Sequence, residues 1–155
     1  MKNLLAVAAL AALPVLGAHA QTSVQVPLSG TLAKRCTIAV AANATASALN
    51  LGSTAAQSVG TLSFACNYAG SPGLSVSSLN AGQLVSTDPQ NPASLPYTVT
   101  IGSLLSNVSL ATPATPTVTT AANATVDSGV SIALTTAALV AGLYQDTITA
   151  TITPN

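Results

Sequence analysis

The chain has 155 residues, of which 4% are charged and 49% hydrophobic, and its three Lys and Arg residues balance its three acidic residues. Binding to nucleic acid or anionic lipid depends on clustered Lys and Arg, so this composition excludes such a surface and predicts no nucleic-acid partner. Two Cys residues and a single His do not complete the four ligands of a zinc site, and we expect no metal and no cofactor.

The first 20 residues are typical of a secretory signal peptide. Lys2 precedes an apolar run over residues 4–16, and Ala18 and Ala20 supply small residues at the usual cleavage positions. We expect cleavage after Ala20, so residues 1–20 are predicted to be a signal peptide and the mature chain to be exported. No later stretch has about 20 consecutive apolar residues, which predicts no membrane span in the mature chain.

Residues 23–32 form a predicted strand with its apolar side chains on one face. Gly30 interrupts that face, whose side chains belong to Val24, Val26, Leu28 and Leu32. Read from the residues alone, this strand is as consistent with the first strand of the domain's own sheet as with an extension.

Two cysteines, Cys36 and Cys66, follow in predicted strands. Because we expect the chain to enter an oxidising compartment, a disulfide between them is the leading interpretation. In the chain-entropy model a loop of this size contributes about 3–4 kcal/mol to stability.

Apolar and polar residues alternate in several later segments, which is typical of strands with one buried face. The apolar positions are Leu62, Phe64 and Cys66; Leu74 and Val76; Tyr97, Val99 and Ile101; Val130, Ile132 and Leu134; and Ile148, Ala150 and Ile152. Turn-forming residues separate these segments at 67–73, 88–92 and 127–129. About seven short strands in one domain predict an antiparallel β-sandwich, with Tyr97 in its core.

Three stretches lack a clear period. The alanine-rich residues 41–48 and 137–141 show no amphipathic stripe, and we expect loops or strand edges there. Residues 111–125, rich in Thr, Pro and Ala, are either a long irregular edge strand or a mobile loop.

Both ends of the mature chain resemble one family of bacterial fibre subunits. Residues 26–32, which read Val-Pro-Leu-Ser-Gly-Thr-Leu, are followed by Cys36-Thr37-Ile38 and resemble the donor strand of chaperone–usher pilins. Residues 141–153 are similar to the final strand of the same superfamily, which includes spore-coat-U-like proteins. The resemblance implies an all-β, incomplete immunoglobulin-like antiparallel β-sandwich at residues 34–155. It assigns residues 21–33 to an N-terminal donor-strand extension.

In such pilins the fold lacks its last strand, and an extended strand of the next subunit fills the resulting groove. The resemblance assigns the inserted positions to Val24, Val26, Leu28, Gly30 and Leu32. It places Ile148, Ala150 and Ile152 in the final strand that borders the groove or binds a chaperone. It also matches Cys36 and Cys66 to the family's bridge between its first and second strands.

The resemblance implies a structural subunit of a surface fibre, or fimbria, that supports adhesion or biofilm formation. Its implied partners are identical or related pilin subunits, a periplasmic chaperone and an outer-membrane usher, and its implied route runs through the periplasm to the cell surface. Pro27 departs from the pattern, because it removes one backbone donor from the inserted strand.

Catalysis is not expected, because residues 21–155 contain neither His nor Glu. Asp88 and Asp127 are the only pair of carboxylates that could converge across a cleft, and we do not expect them to do so. Lys34 is the only candidate base for a serine nucleophile, and we expect it to form a solvated basic pair with Arg35 instead. The alternative function is a secreted carbohydrate-binding or adhesin β-sandwich that does not polymerise. Sugar platforms usually need exposed aromatic rings, and this chain has no Trp and offers Tyr68 in a predicted loop.

Overall fold

A computed structural model describes residues 23–155 of the chain. The predicted signal peptide, residues 1–20, lies outside the described residues, as do the first two residues of the predicted extension. The chain divides into two units between Thr31 and Leu32. In the first unit, residues 23–31 contain neither helix nor strand. Among the described residues, no helix is long and apolar enough to cross a membrane.

The second unit, residues 32–155, is an all-β fold with nine strands and one turn of helix. The elements are β1 (Cys36–Ala42), α1 (Ala44–Ser47), β2 (Gln57–Cys66), β3 (Gly73–Ser78), β4 (Gln83–Ser86), β5 (Ser94–Ile101), β6 (Leu105–Val108), β7 (Thr125–Leu134), β8 (Tyr144–Gln145) and β9 (Ile148–Thr153). The all-β prediction is therefore confirmed.

Seven of these strands form one antiparallel sheet that curls around the core. Its order is β1-β2-β7-β5-β4-β8, and β6 pairs with the second half of β5. Strands β3 and β9 form a small second sheet, also antiparallel. Residues 111–125 adopt the first of their two predicted forms, an irregular edge strand, because Ala114, Thr117 and Thr120 bridge to β3 and the residues before it.

The alternating patterns predict the buried face correctly. Leu62 and Phe64 of β2 point into the core, while Ser63 between them lies on the outer face. Tyr97 of β5 is 2% exposed, which confirms its predicted place in the core. Thr149 and Thr151 of β9 likewise face outward. Because apolar side chains occupy the same side of each strand, the curled sheet and the second sheet enclose one common core.

The alanine-rich residues 41–48 divide between two elements. Ala41 and Ala42 complete β1, and α1 follows as a single helical turn. Asn43 caps that turn, since its side-chain oxygen accepts a hydrogen bond from the Ala46 backbone N–H. The other alanine-rich stretch, residues 137–141, lies in the loop between β7 and β8, as predicted.

Candidate functional site: a groove between two open strand edges

Strand β9 pairs along one edge only, among the residues that the structure describes. Leu79 N donates to Thr147 O over 2.9 Å, which begins a ladder between alternate residues of β3 and β9. In an antiparallel pair, the residues between the bonded ones turn their N–H and C=O groups to the opposite edge. Those residues are Ile148, Ala150 and Ile152, so their backbone groups point away from β3.

Strand β1 has the same property within the described part of the chain. It pairs with β2 alone, and Asn67 N donates to Arg35 O over 2.9 Å at the start of their ladder. Every second residue after Arg35 bonds to β2 in the same way. The backbone groups of the residues between them, which include Ile38 and Val40, are therefore directed away from β2.

The core-facing side chains of both strands are incompletely covered. Ile148, Ala150 and Ile152 are half-buried, although Val76 beside them on β3 is fully buried at 0% exposure. Val40 of β1 is 62% exposed while it points to the same side as the core. Both strands therefore present apolar surface as well as unpaired backbone groups.

A cavity of about 760 Å³ occupies the space between the two strands. Its walls include Val40 and Ala42 of β1 and Ile148 and Ala150 of β9, and its floor consists of core residues, among them Leu62, Val76, Tyr97 and Ile132. Since the lining is mainly aliphatic and each wall carries free backbone donors and acceptors, this groove suits an extended peptide with alternating apolar side chains.

One end of the groove is closed by a cluster that we call the base. Lys34 Nζ donates to the main-chain oxygen of Asn155 and lies 4.7 Å from the centre of the Tyr68 ring. Asn155 N donates to the Tyr68 hydroxyl over 3.0 Å, and its side chain donates to Ser71 O over 2.8 Å. These contacts tie the residues before β1 to the residues after β9.

The predicted disulfide between Cys36 and Cys66 is confirmed and lies at this base. It joins the first residue of β1 to the last residue of β2, with their Cα atoms 4.1 Å apart. The wall formed by β1 is thus fixed covalently where the groove closes.

The opposite end, which we call the top, is open. Here β1 ends at Ala42 and β9 begins at Ile148. Two side chains that line the cavity at this end, Leu79 and Leu143, are 77% and 62% exposed. They form an apolar rim around the mouth of the groove, and Leu143 O also accepts a hydrogen bond from Thr87 N over 2.8 Å.

Asp146 fixes the start of β9 at the top of the groove. Its carboxylate accepts hydrogen bonds from the hydroxyls of Ser78 and Tyr97 and from the backbone N–H groups of Asn80 and Thr147. Partial burial raises the pKa of the Asp146 carboxyl, but these four hydrogen bonds outweigh it, so the pKa lies below its ordinary value. Burial and the bond to the carboxylate both raise the pKa of Tyr97.

Gly60 allows β1 to approach β2 closely beside the cavity. A β-carbon at this position would lie 2.4 Å from the Ala41 carbonyl oxygen, and the backbone φ of +155° is one that side-chain-bearing residues rarely adopt. The ladder between β2 and β7 also shifts register between Ser58 and Gly60. A glycine is therefore required where β1 forms the upper wall of the groove.

The structure places the predicted site residues in two groups. Ile148, Ala150 and Ile152 lie on β9 and face the core, and the first two of them line the cavity. The predicted donor residues Val24, Val26, Leu28 and Leu32 are between 74% and 91% exposed, and Gly30 has open space where a β-carbon would be.

Sequence reasoning missed the second wall and the carboxylate network. Ile38 and Val40 alternate with smaller residues, which is a weak strand signal, but nothing in the sequence marks their edge as open. The partners of Asp146 are too distant in sequence to be predicted.

Asp88 and Asp127, the only two carboxylates considered as a pair, have no hydrogen-bond partner in common among the described residues. Asp88 accepts hydrogen bonds from Gln90 N and from the Asn91 side chain, whereas Asp127 accepts one from Ser63 on the outer face of the curled sheet. Asp88 is thus engaged within its own loop, whereas Asp127 of β7 is engaged by the neighbouring strand β2.

No protein-family model matches this chain, and its sequence matches no curated protein. The groove and its chemistry are therefore the basis on which a function is assigned.

Proposed function

We propose that this protein is a structural subunit of a bacterial surface fibre, in which the N-terminal segment of one copy fills the groove of the next. The observation that carries this proposal is the pair of open edges on β1 and β9, with half-exposed apolar side chains on both and a cavity between them. In these terms the fold is an immunoglobulin-like sandwich without its last strand, and residues 21–33 supply that strand to a neighbour.

The N-terminal segment has the chemistry that the groove requires. Val24, Val26, Leu28 and Leu32 share one face of an extended chain and are exposed, so they are accessible to a second copy. Burying four aliphatic side chains stabilises the complex by about 6–12 kcal/mol, before the entropy lost in ordering the segment is subtracted. Backbone hydrogen bonds to both walls add to this stabilisation. A gain of this size is comparable to the stability of a whole domain.

The hydrogen-bonding pattern of the walls restricts how a strand can enter. On both walls the residues that face the core also direct their backbone groups into the groove. An inserted strand that is antiparallel to a wall therefore bonds to it through its own core-facing residues. If it is parallel to a wall, it bonds through the residues between the core-facing ones. Since β1 starts at the base and β9 ends there, the two walls run in opposite directions and one strand satisfies both.

The closed base gives this strand a direction. The inserted segment must continue into its own domain, and the contact between Lys34 and Asn155 blocks that path at the base. The segment therefore leaves through the top, which makes it antiparallel to β9 and parallel to β1. Pro27 is then one of the residues between the core-facing ones, and its backbone is directed at β1. Because its lack of an N–H removes a hydrogen bond to β1 only, the hydrogen bonds to β9 are complete.

An empty groove explains why such a subunit would need help before assembly. Open strand edges with exposed apolar side chains pair readily with other chains and lead to aggregation. A periplasmic chaperone that covers β1 and β9, and an outer-membrane usher that replaces it with the next subunit, are the partners that the pilin resemblance implies. The proposed site of the fibre is the cell surface, where adhesion or biofilm formation would be its role.

The positions of the three tyrosines do not support the alternative function, carbohydrate binding. Tyr97 and Tyr144 are buried, and the Tyr68 ring lies beneath Lys34 with its hydroxyl bonded to Asn155. None of the three presents a free ring face of the kind that stacks on a sugar.

The proposal is tested by a single substitution in the donor face. In the chain of residues 21–155, Leu28→Asp places a charge in the groove of the neighbour, and burying an unpaired carboxylate costs several kcal/mol. We expect this variant to remain monomeric but to keep a vacant groove. A labelled peptide of residues 21–33 should then bind to it, as measured by fluorescence anisotropy.

Ser29→Asp is the matched control, because residue 29 faces the opposite side of the same strand. This variant should polymerise like the unaltered chain in size-exclusion chromatography. Equal loss of assembly in both variants, or absence of peptide binding to the Leu28→Asp variant, would show that the segment is not a donor strand.

A further inference from the structure

If the N-terminal segment enters the groove in this direction, a further surface of each copy contacts its neighbour. This inference rests on the proposed function. Strand β9 offers three core-facing positions, whereas residues 24–32 present five on one face. The inserted segment is therefore longer than the wall. Because it leaves through the top, its last residues pass over the apolar rim formed by Leu79 and Leu143.

The linker from the inserted segment to the next domain is short. Arg35 follows Leu32 by three residues, which span at most about 10 Å when fully extended. Cys36 then begins β1 and is held to β2 by the disulfide. The base of the donating copy must consequently lie directly against the top of the accepting copy.

The charges at these two ends are opposite. Of the five charged residues in the described range 23–155, both cations, Lys34 and Arg35, lie at the base and are exposed. At the top, Asp88 follows Thr87, a residue that lines the mouth of the groove and is bonded to Leu143 O.

Asp88 is held in place by its own loop. Gln90 N donates to one of its carboxylate oxygens over 2.9 Å and the Asn91 side chain donates to the other over 2.8 Å. These bonds, the one from Asn91 foremost, lower the pKa of the carboxyl, which therefore stays ionised at neutral pH. Lys34 is already engaged by Asn155 and Tyr68, which leaves Arg35 as the cation available to a neighbour.

We infer that copies of this chain meet end to end, with Arg35 at the base of one copy beside Asp88 at the top of the copy whose groove holds its N-terminal segment. This contact orients each new subunit and excludes side-by-side binding of its base. An Arg guanidinium forms two parallel hydrogen bonds with a carboxylate, so the pair also fixes the rotation of one domain on the next.

The contact is tested by a charge-reversal cycle in the full mature chain, with the rate of fibre growth measured by light scattering. Arg35→Glu and Asp88→Arg should each slow growth by about three- to tenfold, because each places like charges at an exposed contact. The double variant restores the opposite charges and should grow at close to the rate of the unaltered chain. Additive losses in the double variant would overturn the inference.

Asp127→Arg combined with Arg35→Glu is the matched control, since it has the same net charge with the substituted carboxylate on the outer face of β7. It should show no recovery, and recovery here would mean that net charge alone governs growth. Binding of the 21–33 peptide separates the two proposals, because this peptide lacks Arg35. In the Leu28→Asp background, where the groove stays vacant, Asp88→Arg should leave peptide binding unchanged. Absence of peptide binding in every variant of that background would instead overturn the proposed function.

Discussion

Asp146 is the residue that joins the start of β9 to two other parts of the fold. Its four hydrogen bonds come from the last residue of β3, from the turn after it, from β5 and from the backbone next to Asp146. Since β9 is bonded along one edge only within residues 23–155, this carboxylate supplies a fixed point that the sheet itself does not. The orientation of the upper groove wall depends on it.

Asp146→Asn should destabilise the domain in a pH-dependent way. Loss of hydrogen bonds to a charged acceptor typically costs about 1–3 kcal/mol. The pKa of Asp146 is lowered on folding from an ordinary value of 3.8, so its contribution is full above that pH and is lost as the pH falls through the lower folded value. Urea unfolding at neutral pH and at pH below 3.8 measures this difference.

The loss of unfolding free energy caused by Asp146→Asn should therefore be large at neutral pH and should become smaller in acid. Asp127→Asn is the control, because Asp127 accepts one hydrogen bond, from Ser63, at an exposed position. A deficit of Asp146→Asn that is constant across this range would show that the charge of the carboxylate is unimportant.

At the scale of elements, β9 is both a strand of the fold and a wall of the groove. Ala150 is its central core-facing residue, half-buried and lining the cavity. A larger apolar side chain there would occupy space that the monomer leaves empty. The same change would remove space that an inserted strand needs.

Ala150→Leu should thus have opposite effects on stability and on assembly. We expect the thermal stability of the monomeric Leu28→Asp variant to stay equal or rise, because the added side chain fills a cavity instead of overpacking a core. Affinity for the 21–33 peptide should fall at least about tenfold, by analogy with other steric blocks in apolar sites. Thr149→Leu, on the outer face, should leave the affinity unchanged, and a similar loss in both variants would contradict the groove.

These elements differ in how well the sequence predicts them. Thr and aliphatic residues alternate strictly from 147 to 153, so β9 and its buried face follow from local pattern alone. The open edge of β9 does not, because it depends on which strand lies beside it, and that pairing joins residues from Ser78 with Ile148 to Gly73 with Thr153, all far apart in sequence. For the same reason the sequence does not predict the hydrogen bonds of Asp146, whose side-chain partners are 49 and 68 residues away.

At the scale of the whole molecule, the disulfide is the covalent cross-link that ties β1, one wall of the groove, to β2 in the curled sheet. It closes a loop with a sequence separation of 30, and the chain-entropy model assigns about 3–4 kcal/mol to such a loop. No residue of β1 is fully buried and Ile38 is its one hydrophobic residue packed against the core, so this link stabilises a wall that packing holds weakly.

Replacing both cysteines, as Cys36→Ala with Cys66→Ala, should lower the free energy of unfolding by about 3–4 kcal/mol. The Leu28→Asp background keeps the protein monomeric, so that urea unfolding reports the domain alone. Reduction of the unaltered bond should give a similar loss, and a change below about 1 kcal/mol in both experiments would contradict the stabilising role.

In a fibre of these subunits, tension would enter each domain through residues 33–35 and reach the disulfide at the next residue. The covalent bridge passes the load at once to β2, which is paired on both sides. The strand donated by a neighbour, in contrast, would be pulled along its own axis, so that all its hydrogen bonds to β1 and β9 would resist sliding together. Such a joint would hold until many bonds failed simultaneously, which gives the chain a mechanical strength well beyond that of any single contact.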